Sequence, residues 1–335
     1  MSSITKKRKN DHIKICMEKD VEFRKTNGFE FFELEHKALP EIERDEINLT
    51  TKFLGKNFLA PIFIEAMTGG TPKAEKINKN LAKAAEELGI GMGVGSQRAM
   101  LENEKLLPTY YVRDVAPNIF LLGNIGAAQL NKYPFEKIAW LVESIKADGI
   151  AIHFNIAQEL AQKEGDKKWG NVYEKLSEIC KKAKFIVIAK ETGCGFSGEV
   201  AKKLEKTGIK AIDIAGAGGT SWIKVDAYRN DEDYSHLEEW GIPTALALED
   251  VVKSVKIPII ASGGIRNGVE VAKAIAMGAS LAGIALPLLK PAIKSWKDVK
   301  KCVEKIIEQL KDAMFLVGAK NIEELKRTKV IKCVK

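Results

Sequence analysis

The sequence predicts an α/β chain of the (β/α)8 TIM-barrel class, with an N-terminal extension and a C-terminal helical tail. Three observations carry this expectation. Short β-rich apolar runs alternate with amphipathic helical stretches along most of the chain. The runs number eight, with no break in composition between them. Glycine or polar residues recur at the C-terminal end of each run, and glycine-rich turns follow the last two. An open doubly wound sheet is the alternative, and the count of eight favours closure.

The strands are expected at 61–65, 90–94, 119–123, 149–153, 185–189, 210–214, 258–261 and 281–285. Helical periodicity falls at 74–88, 135–147, 172–183 and 198–207, and again from about 269. Residues 1–60 then form an extension with a substrate-covering arm, 61–294 the barrel, and 295–335 a helical tail. The segment 216–241 reads as a long polar loop carrying Trp222, Tyr228, Tyr234 and Trp240. A loop of that length in a compact domain is usually functional or mobile.

Bulk properties exclude several classes. With 45% hydrophobic and 29% charged residues, the 335-residue chain builds a core readily and disorder is not expected. No apolar run approaches the roughly 18 residues that span a bilayer, and the first residues lack the apolar region of a secretory signal. The five cysteines are scattered and lack C-x-x-C spacing, which points to a reducing cytoplasm and away from disulfides or zinc. The net charge of +8 is a modest excess. Its one concentrated run, Lys6-Lys7-Arg8-Lys9, has no interleaved aromatics, so an arm over a small anion is favoured over nucleic-acid binding. Neither a nucleic-acid nor a membrane partner is expected.

In such barrels chemistry sits at the C-terminal strand ends. The turn Gly263-Gly264-Ile265-Arg266 leads into a helix, and Gly218-Gly219-Thr220-Ser221 lies on the preceding loop. Together they suit a phosphate, since glycine lets backbone N–H groups approach and a helix N-terminus adds favourable charge. There is no Walker A motif and no G-x-G-x-x-G after the first strand, so nucleotide hydrolysis and Rossmann-type NAD binding are disfavoured. Lys190 ends a buried apolar strand. It suits either a Schiff base or, better with phosphate turns nearby, an ammonium beside the N1 and C2 carbonyl of a flavin mononucleotide. His153 and Asn155 lie two apart on a strand and face one side. Glu159 either caps a helix or is the single carboxylate of a Mg²⁺ held mainly by substrate phosphates. Arg8, Lys9, Arg98, His153 and Asn155 are the basic and polar groups available to a diphosphate. Cys194 reads as a small residue in a tight turn.

The ordered set resembles the type 2 isopentenyl-diphosphate isomerases over nearly the whole chain. Its pieces are Arg8-Lys9-x-Asp11-His12, Met67-Thr68-Gly69-Gly70, Gly95-Ser96-Gln97-Arg98-Ala99 and His153-x-Asn155-x-x-Gln158-Glu159. Lys190-Glu191-x-Gly193-x-Gly195-x-Ser197, Ala215-Gly216-x-Gly218-Gly219-Thr220-Ser221-Trp222, Ser262-Gly263-Gly264-Ile265-Arg266 and Ala282-Gly283-x-Ala285 complete it. Phe154, where the family usually has Leu, should point away from the site. The resemblance implies isomerisation of isopentenyl diphosphate to dimethylallyl diphosphate with FMN, kept reduced by NADPH or another donor, and Mg²⁺. It implies FMN contacts from Met67, Thr68, Ser96, Asn124, Lys190, Thr220, Gly264, Ile265, Arg266, Ala285 and Leu286. It assigns substrate to Arg8, Lys9, Ser96, Gln97, Arg98, His153, Asn155 and Gln158, and Mg²⁺ to Glu159. Gln158, His153 and Lys190 are the implied catalytic residues, Trp222 the shield of the alkene, and a homo-oligomer (tetramer or octamer) the assembly. The rival on the same barrel is an FMN-dependent oxidoreductase of the 2-hydroxy-acid oxidase type. Its His-Gly-(Ala/Gly)-Arg context is absent around His12, His36, His153 and His236.

Overall fold

A computed structural model describes residues 3–333, with side chains from residue 7. Eight parallel strands close into a barrel in chain order. They are β1 (Ile62–Ile64), β2 (Gly91–Gly93), β3 (Leu121–Gly126), β4 (Gly149–Phe154), β5 (Ile186–Glu191), β6 (Ala211–Asp213), β7 (Ile259–Ser262) and β8 (Leu281–Ile284). Closure is made by β8 against β1, with Ala282 opposite Ile62 and Ile284 opposite Ile64. Nearly every strand residue is buried, because helices cover the outside and side chains fill the inside. That is why these runs read as continuously apolar rather than alternating.

An N-terminal helix, α1 (Ser3–Glu18), forms the arm, and α2 (Pro72–Leu88) opens the outer ring. Thr71 caps α2, its Oγ1 accepting from the Ala74 N–H, and Gly89 ends it in the left-handed region at φ 59°. Phe135–Ser144, Val172–Lys182, Gly198–Glu205 and Thr244–Ser254 continue the ring. The second unit has only the short helix Arg98–Glu102 and a 3-10 turn, Glu104–Thr109. On the mouth lie the short helix α3 (Ile156–Ala161) and α4 (Trp222–Asn230). Then come α5 (Gly268–Ala276), α6 (Leu286–Lys294) and α7 (Trp296–Leu316), with the one-turn helix Ile322–Leu325 after them.

Two expectations need correction. The segment 216–241 is not a loop throughout: Ser221 Oγ accepts from the Lys224 N–H and starts α4. The 295–335 tail is not wholly helical, since Val330–Lys332 is a strand pairing antiparallel with Phe32–Leu34 of the extension. The β-branched Val330 and Ile331 suit an edge that Phe32–Leu34 leaves open. Meanwhile α7 packs against both α2 and α5, filling the place of an eighth ring helix. At the other end, the hairpin strand Lys56–Phe58 and its partner Thr51–Phe53 bring Phe58 and Phe53 against Phe120, closing the barrel bottom with an aromatic cluster.

The contact between α5 and α7 allows no side chain at residue 268. A Cβ on Gly268 would lie 2.1 Å from Leu310 N and 2.3 Å from Ile306 O, both backbone atoms of α7. Gly268→Ala should therefore cost about 2–3 kcal/mol, as overpacking does, read as a lower urea midpoint. A midpoint unchanged within error would mean the two helices part freely.

Candidate active site

The C-terminal strand ends surround one large cavity, and α1 crosses its mouth. Its floor is charged. Lys190, at the end of β5, places Nζ 2.6 Å from Asp213 Oδ2 on β6 and 2.8 Å from Glu65 Oε2 just after β1. Burial disfavours the ammonium, but Asp213 and Glu65 outweigh it, and Lys190 stays charged well above the ordinary lysine range. Ser262 Oγ donates to Asp213 Oδ1 at 2.5 Å.

On one wall, His153 Nδ1 lies 2.6 Å from Asn124 Oδ1. Asn124 Oδ1 accepts, so Nδ1 carries the hydrogen and Nε2 is left as the free ring nitrogen. Burial, with Lys9 and Lys190 nearby, pushes His153 down to about 3, so its ring is neutral. Asn155 Nδ2 donates to Glu159 Oε1 (3.0 Å) and Gln158 Oε1 (3.1 Å). Glu159 Oε2 accepts from the Asp166 backbone N–H at 2.5 Å. Asn155 Oδ1 is buried with no hydrogen-bond partner among the described residues.

Asp226 on α4 ties the mouth together. It accepts from His12 Nε2 (3.0 Å), Gln158 Nε2 (3.0 Å) and Arg229 Nε (2.8 Å), so α1, α3 and α4 meet at one carboxylate. Burial works against its charge, but these donors hold it ionised below the usual aspartate range. Burial likewise keeps His12 below its ordinary value, so the neutral ring donates Nε2–H. Arg229 also pairs with Glu164 at 2.8 Å, and Arg8 reaches Glu164 at 3.5 Å and Gln162 Oε1 at 3.1 Å. Lys9 Nζ donates to Ser96 O at 3.3 Å. Burial, Arg8 and Arg98 push Lys9 down to about 7. Trp222 stacks edge-on to His12, centroids 5.3 Å apart.

The opposite wall is backbone. A Cβ on Gly264 would fall 2.3 Å from Gly218 O, and one on Gly219 would fall 2.6 Å from Gly264 N. The loops after β6 and β7 thus lie main chain to main chain, and no larger residue fits between them. Beside this cradle, α6 begins at Leu286 with no side-chain cap; Pro287 has no N–H and the Leu288 N–H bonds to Ala285 O, which leaves the Leu286 N–H as the helix-start donor for an anion.

Of the sequence-predicted site residues, Arg8, Lys9, Met67, Thr68, Ser96 and Arg98 line the cavity. So do Asn124, His153, Asn155, Gln158, Glu159 and Lys190. Thr220, Gly264, Ile265, Arg266, Ala285 and Leu286 complete its wall. Gln97 does not line it. Gln97 stands just before the helix Arg98–Glu102 with φ −84° and ψ 8°, and its side chain turns into the core. There its amide donates to Leu141 O (2.9 Å) and accepts from the Asn124 N–H (2.8 Å). Phe154 packs edge-on to Phe196, centroids 5.5 Å apart, away from the cavity lining. Sequence reasoning missed Glu65, Asp213, Asp226 and Gln129, the last a cavity-lining amide whose Nε2 has no hydrogen-bond partner among the described residues. An acid ending a buried apolar strand, as Glu65 and Asp213 do, was the available signal.

With this geometry in view, the comparisons with known proteins are specific. The family described as FMN-dependent dehydrogenase matches residues 134–332. A Pyrococcus furiosus protein named isopentenyl-diphosphate delta-isomerase is 52% identical, over 97% of this chain and 86% of its own. One of the same name from Pyrococcus horikoshii is 51% identical, over 97% of this chain and 91% of its own. Among solved structures, a mandelate oxidase variant with a monooxide FMN adduct aligns with a TM-score of 0.65 at 16% identity, covering 92% of this chain and 90% of its own. That likeness is one of fold.

Removing the Asp226 carboxylate should free the arm. In Asp226→Ala, trypsin should cut α1 about 5–30-fold faster, as a loss of 1–2 kcal/mol in local stability would give. An unchanged cleavage rate would mean that apolar packing alone holds α1 down.

Proposed function

The chain belongs to the isopentenyl-diphosphate delta-isomerase family, and we infer that it converts isopentenyl diphosphate to dimethylallyl diphosphate with FMN and Mg²⁺. One observation carries this reading. A single cavity joins a glycine cradle with an uncapped helix start to a wall of cations, amides and one carboxylate. The first suits a cofactor phosphate and the second a metal-bound diphosphate.

The reaction is hard because the alkene is unactivated: a proton is added at C4 and another leaves C2, with positive charge developing at C3. Bound FMN, kept reduced by NADPH or another donor, would supply proton transfer and an electron-rich ring next to that charge. Lys190 would balance negative charge on the ring, and the backbone of Gly264, Ile265 and Ala285 would hold its phosphate. Met67 and Trp222 would keep water from the alkene. Arg8, Lys9 and Arg98 would receive the diphosphate, and His153 would join them on taking a proton at Nε2, which the anion favours. Gln158, fixed by Asp226 and Asn155, would present its amide to the reacting carbons.

The fit to Mg²⁺ rests on oxygen donors. Glu159 supplies a carboxylate, and Asn155 Oδ1 is a buried acceptor with nothing to accept from among the described residues. No three His, Cys, Asp or Glu side chains converge among the described residues, so substrate oxygens and water would complete the shell. We further propose a homo-oligomer, tetramer or octamer, working in the cytoplasm. Among the described residues no helix is long and apolar enough to cross a membrane.

Heating the purified protein should release a yellow chromophore of FMN mass, and protein that takes up no FMN when it is supplied would overturn the reading. Glu159→Gln keeps shape but removes charge, so its Mg²⁺ requirement should rise steeply, about tenfold or more, with part of the rate rescued by excess Mg²⁺. Gln158→Ala should lower kcat, about 10²-fold or more, without that shift. Both titrations are run with FMN fully reduced. Rescue of Gln158→Ala by Mg²⁺ would reverse the two assignments.

A further inference from the structure

Residues 21–28, the part of the extension that follows α1, lie directly on the glycine cradle. Val21 O accepts from the Ser221 N–H (2.8 Å), and the Phe23 N–H donates to Gly219 O (2.9 Å). Glu22 pairs with Arg266. A Cβ on Gly218 would meet Asn27 N at 2.3 Å, so this strap touches the cradle main chain to main chain.

Asn27 is buried in the strap, and both ends of its amide are engaged. Its Oδ1 accepts from the Phe29 N–H at 3.1 Å, closing an Asx turn. Its Nδ2 donates to Gly264 O at 2.8 Å and to Glu270 Oε1 at 3.1 Å. Glu270 Oε2 in turn accepts from the Arg266 N–H at 2.6 Å. With a donor at one end and two acceptors at the other, the amide has a single orientation.

The hold on Gly264 O also fixes the next N–H. In a planar trans peptide the C=O and N–H point opposite ways, so turning Gly264 O toward Asn27 turns the Ile265 N–H away from it. Gly264 and Ile265 line the cavity and Asn27 does not, so that direction is inward. The Gly264 and Ile265 N–H groups meet no acceptor among the described residues, whereas the Arg266 N–H is taken by Glu270.

We propose that Asn27 is a positioning residue for the cofactor phosphate: by holding Gly264 O from behind, it aims the Ile265 N–H at the anion. The proposal rests on FMN being the cofactor. Without that bond the Gly264–Ile265 peptide is free to turn, since glycine restrains it little, and the cradle loses a fixed donor. The flavin ring is assigned to Lys190, outside this contact, so only the phosphate should feel the change.

The test titrates FMN and riboflavin, which has the same ring and no phosphate, and follows flavin fluorescence. Wild type should prefer FMN. Asn27→Ser keeps an acceptor for the Phe29 N–H but is too short to hold Gly264 O. It should bind FMN about tenfold more weakly, the worth of one hydrogen bond, and riboflavin within about twofold of wild type. Asn27→Ala should do the same, and Asn27→Ser decides alone should Asn27→Ala not fold. A loss shared equally by FMN and riboflavin would make Asn27 a general prop of the fold and overturn the proposal, as would unchanged FMN affinity in Asn27→Ser. Wild type that binds riboflavin as tightly as FMN, or binds neither, overturns the FMN reading of the cradle instead.

Discussion

Closure of the barrel between β8 and β1 is the constraint from which the site follows. Once the sheet has no edge, the eight C-terminal strand ends form one ring, and any polar group there must be satisfied by another strand end or by a ligand. Lys190 illustrates the consequence. Its ammonium sits where an isolated ion would cost several kcal/mol, and it persists because β6 and the end of β1 each present a carboxylate. Those partners lie far apart along the chain. The ion cluster exists only because the ring is closed.

The mouth obeys the same rule with a different element. Asp226 is buried, and three donors from three helices share its two oxygens. Gln158 is thereby fixed by the residue that also anchors His12 and the arm. Covering the cavity and orienting one of its amides are a single structural event, because both depend on one carboxylate. The Arg229–Glu164–Arg8 chain extends that event along α1.

The eight strands were legible because each is a buried apolar run punctuated by glycine or polar residues, and each expected run overlaps one barrel strand, though β3 and β5 run on to Gly126 and Glu191. The helix α4 was not, because Trp222–Asn230 mixes charged and aromatic residues without a clean apolar stripe. Nor was α1, whose many charges read as an arm without a fixed form. In the site, most residues at strand ends were found because position marks them, Glu65 and Asp213 being the exceptions. Gln97 was misplaced because it stands between two cavity residues, and sequence order does not say which way a turn residue points. Glu65 and Asp213 were passed over because a lone acid in an apolar strand gains meaning only with its partner, and Lys190 is distant in sequence from both.

Lys9 joins these strands of argument. Burial beside Arg8 and Arg98 pushes it down to about 7, so in the free protein it is half charged near neutrality. An anion at the mouth reverses that, because it favours the ammonium and offsets the repulsion among the three cations. The arm that carries Lys9 also carries Arg8, whose contact with Glu164 at 3.5 Å is loose enough for a better anion to replace. Binding a diphosphate would therefore tighten the hold on Arg8 and Lys9 and leave the contact to Asp226, which is already complete, as it is. The arm is held by a fixed staple at His12 and by a ligand-dependent one at Arg8 and Lys9. A cover built in this way can stay folded on the barrel while its charged end waits for substrate.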